Sequence, residues 1–173
     1  DSLSVVMPLR RQLEALETER LGGSQGYPDS GSQRKFTLLD VGSGAGLPAL
    51  VYAVVSPEWH VTALDAVGKK MAFVQNAANS LGLPNLVANH ARVEGFVGQY
   101  DLITCRAYSH LADFVAQTEH LLKPGGRWLA LKGKRPDEEM AALPPAVGVD
   151  GVQRLGVPGL DGERCLVWLS ARV

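Results

Sequence analysis

Three glycines, Gly42, Gly44 and Gly46, follow an apolar run that ends at Val41, and Asp40 stands two residues ahead of the first of them. Glycines at the turn from a strand into a helix let the backbone bend sharply and come close to a ligand. Residues 44–49, Gly-Ala-Gly-Leu-Pro-Ala, fit the dinucleotide pattern G-x-G-x-x-G/A, so an NAD-binding module is one reading. The earlier start at Gly42 and the acid at Asp40 favour another. A carboxylate in the loop repels a pyrophosphate but attracts the cationic amino end of S-adenosylmethionine. Asp65 closes the next apolar run, where a carboxylate accepts hydrogen bonds from ribose hydroxyls in either kind of ligand. It points to an adenosine-type ligand without choosing between the two.

Holding these residues together requires alternating strands and helices. Strands are expected over residues 36–41, 61–64, 86–88, 100–104 and 127–132. A helix near residues 47–55 has Pro48 at a first-turn position, where a missing N–H costs nothing. The next shows Met71, Val74, Ala77, Ala78 and Leu81 on one face, with Gly82 as cap and Pro84 beyond. Leu111, Phe114, Val115, Leu121 and Leu122 mark another, residues 123–126 read as a tight turn, and residues 137–143 as a short helix. Residues 149–155 and 165–171 read as an antiparallel hairpin. The pattern predicts an α/β fold: a mostly parallel sheet, helices on both faces, a C-terminal antiparallel hairpin, and a ligand beyond the carboxyl ends of the strands. The hairpin is unusual in dinucleotide dehydrogenases. Leu121-Leu122-Lys123-Pro124-Gly125-Gly126 resembles the turn before the fifth strand of class I, Rossmann-like methyltransferases. Both features favour the methyl donor.

The 173 residues fit one domain, and with 46% apolar residues they can bury a core. Residues 1–21 carry Leu3, Val6, Met7, Leu13, Leu16 and Leu21 near helical spacing and are expected to form an N-terminal helix. Residues 22–33, rich in Gly, Ser and Pro, read as a flexible linker, and 34–173 as the catalytic domain. Asp1 in place of Met reads as the start of a piece of a longer polypeptide. The apolar run 47–55 is far shorter than the roughly 20 residues a membrane span needs, and no signal peptide opens the chain. A cytoplasmic protein with no membrane partner is expected. Cys105 and Cys165 lack the paired spacing of a zinc site, so no metal is expected. The net charge of −1 leaves any RNA affinity to local patches.

Five runs occur in order: residues 39–49, 64–70, 92–94, 105–108 and 131–134. Together they resemble the RsmG (GidB) family, which methylates a guanine at N7 in small-subunit (16S) ribosomal RNA. The departures are Ala49 where a further glycine is common, and Cys105-Arg106-Ala107-Tyr108 for the usual Ser-Arg-Ala-Phe. The resemblance implies that S-adenosylmethionine is the cofactor and S-adenosylhomocysteine the product. It places Gly42 and Leu47 on the cofactor loop, Val93 and Glu94 beside the adenine, and Arg106 at the end of the fourth strand by the methyl-transfer centre. The implied partner is 16S ribosomal RNA or a precursor of the small subunit, met by a monomer. A small-molecule methyltransferase is the alternative, favoured by the near-neutral charge.

Guanine N7 carries a lone pair and no proton, so its methylation needs no general base. That agrees with the scattered histidines His60, His90, His110 and His120. What remains is alignment, for which Arg106, Lys132 and Arg92 are the candidates, contacting guanine O6 or phosphate. Tyr108 could stack on a base. Lys123, Arg127, Lys132, Lys134 and Arg135, with Lys69, Lys70, Arg34 and Lys35, are expected to form a basic rim around the cofactor cleft.

Overall fold

Five strands run parallel: β1 (Thr37–Val41), β2 (His60–Asp65), β3 (Leu86–His90), β4 (Tyr100–Arg106) and β5 (Leu122–Lys132). β6 (Val147–Leu155) and β7 (Arg164–Ala171) pair antiparallel with each other, and β7 also runs antiparallel against β5. The order across the sheet is β3-β2-β1-β4-β5-β7-β6. This computed structural model describes residues 11, 35–108, 110–156 and 162–172. The expected N-terminal helix, apart from Arg11, the linker and most of the hairpin turn lie outside the described residues. A dinucleotide-binding sheet is ordered 3-2-1-4-5-6. The reversed strand β7 between β5 and β6 departs from it and matches the expected C-terminal hairpin.

The helices are α1 (Ala49–Val55), α2 (Gly68–Ser80), α3 (Leu111–Thr118) and α4 (Asp137–Ala141). Side chains alternate across the strands, so the inner strands feed two cores. Leu38, Val61 and Ala63 face Tyr52 and Ala53 of α1 and Met71, Val74 and Ala78 of α2. Leu39, Ile103 and Trp128 face Leu111, Phe114 and Val115 of α3. Burial on both faces explains why these strands read as nearly unbroken apolar runs. The buried Trp128 indole N–H donates to Thr118 Oγ1 at 2.9 Å, so the α3 core leaves no indole donor unpaired.

The structure adjusts several expected boundaries. Pro48 occupies the N-cap, and the helix proper begins at Ala49. α3 stops at Thr118, and a 3₁₀ turn, Glu119–Leu121, carries the chain into β5. Leu122 therefore pairs with Tyr100 as a strand residue instead of ending a helix. The expected turn at residues 123–126 is a bulge inside β5: the next pair is Leu102 with Arg127, and Gly125 takes φ +74°. No helix among the described residues is long and apolar enough to cross a membrane.

After β3 the chain returns to lay β4 beside β1, which opens a crevice at the carboxyl end of β1. At the opposite edge, Asp101 Oδ2 accepts from Lys123 Nζ at 2.7 Å, from Thr37 N–H at 2.9 Å and from Thr37 Oγ1 at 2.8 Å. This staple joins the starts of β1, β4 and β5. Burial raises the Asp101 carboxyl, but Lys123 and Thr37 outweigh it and hold it below its ordinary value. Its stabilising effect is therefore present above the ordinary carboxylate range and lost as pH falls through the lowered pKa. Asp101→Ala leaves the partly buried Lys123 charge unpaired and is expected to cost about 3 kcal/mol, or roughly 6–12 °C in melting temperature at pH 7. Thermal melts of the two proteins, with a smaller gap at acid pH, check this.

Candidate active site

The loop from β1 to α1 is built on left-handed glycines. Gly42, Gly44 and Gly46 have φ of +67°, +61° and +84°, a conformation that costs an L-residue roughly 1–2 kcal/mol. Gly46 has a second reason to lack a side chain, since a Cβ there would come within 2.9 Å of Leu50 Cδ1 and Val74 Cγ2. Two bonds lash this loop to the end of β2. Ser43 N–H donates to Leu64 O at 3.1 Å, and Gly44 N–H donates to Asp65 Oδ2 at 2.9 Å. Asp65 Oδ1 accepts from Val67 N–H at 2.9 Å, and Lys70 Nζ lies 3.8 Å from Oδ2. One carboxylate thus sets the positions of two loops.

Between them lies a cleft of about 240 Å³ at the carboxyl ends of β1 and β2. Its walls include Val41, Gly42, Leu64, Asp65, Ala66, Arg92, Val93, Glu94, Tyr108 and Gln117. Gly42, Asp65, Arg92, Val93 and Glu94, all singled out from the sequence, meet here. Gly44 and Gly46 shape the loop from behind without lining the cleft, and Leu47 is 40% exposed outside it. Gln117 carried no sequence signal: it is a polar residue on the apolar helix α3. Its Oε1 accepts the Tyr108 hydroxyl proton, and the Tyr108 ring packs at 5.5 Å between centroids on Phe114.

Asp40 stands behind the loop and is only 1% exposed, away from the cleft wall. Its Oδ1 accepts from Thr104 Oγ1 at 2.9 Å. Burial pushes its carboxyl from the ordinary 3.8 up to about 6, although the Ser43 hydroxyl, Thr104, the Ala49 amide and the Arg106 charge all pull it down. By strict hydrogen-bond geometry Asp40 Oδ2, Ser43 Oγ and the Tyr52 hydroxyl have no partner. Three underused polar atoms therefore sit under the glycine loop.

Arg106 ends β4 on the exposed side, and Ala107 after it takes φ +57°. This turn puts Tyr108 on the cleft and Arg106 on a neighbouring cavity. Lys132 is committed differently from expectation. It pairs with Glu139 at 2.7 Å and donates to Tyr108 O at 3.4 Å, while Glu139 Oε2 accepts from Leu111 N–H at 2.9 Å. It braces α4 against the start of α3. The expected basic rim also divides. Lys123 belongs to the staple at the far edge of the sheet, and Arg127 pairs with Asp150 at 3.3 Å. Arg135 pairs with Asp137 at 2.6 Å. Arg34 lies outside the described residues.

A model of the family described as rRNA small subunit methyltransferase G (GidB) matches residues 25–167. A ribosomal RNA small subunit methyltransferase G of Acidovorax sp. (strain JS42) is 49% identical over 169 residues, covering 98% of this chain and 70% of the relative. That of Verminephrobacter eiseniae (strain EF01-2) is 50% identical over 170 residues, covering 98% of this chain and 71% of the relative. Among solved structures, TrmN from Thermus thermophilus superposes with a TM-score of 0.66 at 25% identity, over 80% of this chain and 44% of that one.

The raised pKa of Asp40 has a sign that can be tested. The folded chain holds this proton more tightly than the unfolded chain, so folding loses stability as pH rises from about 4 to about 6. The full penalty at higher pH is about 3 kcal/mol. Asp40→Asn removes it, so the melting temperature of the variant should gain on the parent across that window. A gap that stays constant from pH 4 to 7 would contradict the assignment.

Proposed function

The chain belongs to the rRNA small subunit methyltransferase G (GidB) family, and from that membership we infer an S-adenosylmethionine-dependent enzyme directed at N7 of a guanine in 16S ribosomal RNA. The cleft fits the cofactor. Asp65 spends one lone pair of each oxygen on a loop N–H and keeps others for ribose hydroxyls. Val41, Leu64, Ala66 and Val93 offer apolar surface to an adenine, with Glu94 at its edge and Arg92 on the same wall. From behind the loop, the ionised Asp40 carboxylate attracts the amino end of the cofactor through a low-dielectric layer. When bound, S-adenosylmethionine supplies a methyl group on a cationic sulfur, open to attack by a lone pair.

The chain's own residues then have no proton to remove, because guanine N7 has none. His90 Nε2 lies 3.2 Å from Ala66 O and His120 Nε2 3.2 Å from Phe96 O, both contacts to backbone carbonyls. The remaining work is alignment, which can lower a barrier by about 7–11 kcal/mol. Arg106 is exposed at the rim and makes no ion pair among the described residues, so its guanidinium can hold guanine O6 or a phosphate. Tyr108, its hydroxyl tied to Gln117, presents a fixed ring for stacking. Lys132 fixes the wall behind Tyr108 rather than the base. All of these groups come from one chain, which acts as a monomer in the cytoplasm. The observation that carries this reading is an arginine, without an ion pair among the described residues, two positions along the chain from a cleft lined by Gly42, Asp65, Val93 and Glu94.

With labelled S-adenosylmethionine and unmethylated small-subunit RNA, the protein should transfer methyl to a guanine that then cleaves after borohydride and aniline treatment. Arg106→Ala should lower kcat/KM for RNA by roughly 100-fold while adenosylhomocysteine affinity stays within about threefold. Methyl transfer confined to small molecules, or found away from N7, would refute the proposal.

A further inference from the structure

Beyond Arg106 the carboxyl edge of the sheet continues into a second concavity. A cavity of about 190 Å³ contains Arg106, Ala107 and Lys132, and a neighbour of about 90 Å³ contains Arg135 and Arg154. Both are lined by Gly133, Leu155, Arg164 and Cys165, so they form one groove. The pairing of Lys132 with Cys165, Arg154 with Cys165 and Leu155 with Arg164 sets its floor where β5, β7 and β6 lie side by side. This is the same edge that holds the cofactor cleft. Arg106-Ala107-Tyr108 is the partition, with Tyr108 on one side and Arg106 and Ala107 on the other.

The charge of the groove is at odds with that of the chain. The protein has net charge −1, yet five cations and a single acid, Glu163, line this groove among the described residues. Lys132 and Arg135 are neutralised by Glu139 and Asp137. Arg154 is exposed and makes no ion pair among the described residues, and Arg106 likewise. The charge that Arg106 and Arg154 leave uncompensated among the described residues favours a polyanion as ligand. Between the cations, Leu131 and Leu155 give the groove an apolar floor on which a base can rest.

We propose that this groove seats the RNA strand that delivers the target guanine, with Arg154 and Arg164 on flanking phosphates and Arg106 at the base. The proposal rests on the RNA-directed reading above and adds a direction: the strand enters from the β6–β7 side, opposite the adenosine cleft.

The test uses Arg154→Gln/Arg164→Gln in the full chain, with binding to a 16S RNA fragment and methyl transfer read separately. RNA binding should weaken at least tenfold, and the log–log salt dependence should become shallower by roughly 1.5, as for two lost phosphate contacts. The loss should fall on KM for RNA rather than on kcat. Adenosylhomocysteine affinity, measured by calorimetry, should match the parent and so report an intact fold. Arg154→Lys/Arg164→Lys should restore most of the binding, since phosphate needs the charge more than the guanidinium fork. Unchanged RNA affinity and salt dependence in the Gln variant overturn the groove, as does a parent protein that binds no RNA. A parent that binds RNA through these arginines yet transfers no methyl to it leaves the groove standing and overturns the proposed function.

Discussion

The Asp65 carboxylate is the joint on which the rest of this molecule's active edge depends. It sits where β2 ends and accepts the Gly44 and Val67 amide protons, one on each oxygen. Without an acceptor there, two backbone N–H groups at the mouth of the cleft would lose their partners, and the β1–α1 loop would lose one of the two bonds that tie it to the end of β2. Charge-assisted hydrogen bonds of this kind are the stronger ones available to a loop. The same carboxylate still has lone pairs facing the cleft, so the group that shapes the cavity can also grip what enters it.

Behind that joint the protein tolerates a costly arrangement. Asp40 is buried to the point that its carboxyl titrates near 6, beside a serine and a tyrosine whose hydroxyls are not fully satisfied. A buried, half-paired polar cluster is expensive in a stability ledger, and such clusters gather where function constrains sequence. Here it lies directly under the glycine loop, to which the proposed function gives a cationic ligand. The cost in stability and the electrostatic attraction have the same source, a carboxylate kept away from water.

The carboxyl edge of the sheet is divided into two by a single turn. With Ala107 in a left-handed conformation, the residues flanking it serve opposite sides: Tyr108 lines the cleft beside Asp65, Arg106 the cationic groove. Lys132 contributes from behind, tying Glu139 and the Tyr108 carbonyl together.

Much of this was legible in the chain. Apolar runs of strand length separated by helical periodicity imply a parallel sheet, because residues buried on both faces leave no alternation to read. The glycine triplet and Asp65 marked the tight β1–α1 loop and its anchor at the end of β2, since local backbone geometry constrains residue type at those points. Pairing was not legible. Lys123, Arg127, Lys132 and Arg135 look alike in sequence, and each finds an acid: Asp101, Asp150, Glu139 and Asp137. Arg154 carried no local signal, yet it lines a groove with Arg164 and makes no ion pair among the described residues. Sequence determines which residues carry charge and which stretches must be buried. Only the tertiary structure decides which charges cancel, because that depends on strands distant in the chain ending at the same edge of one sheet.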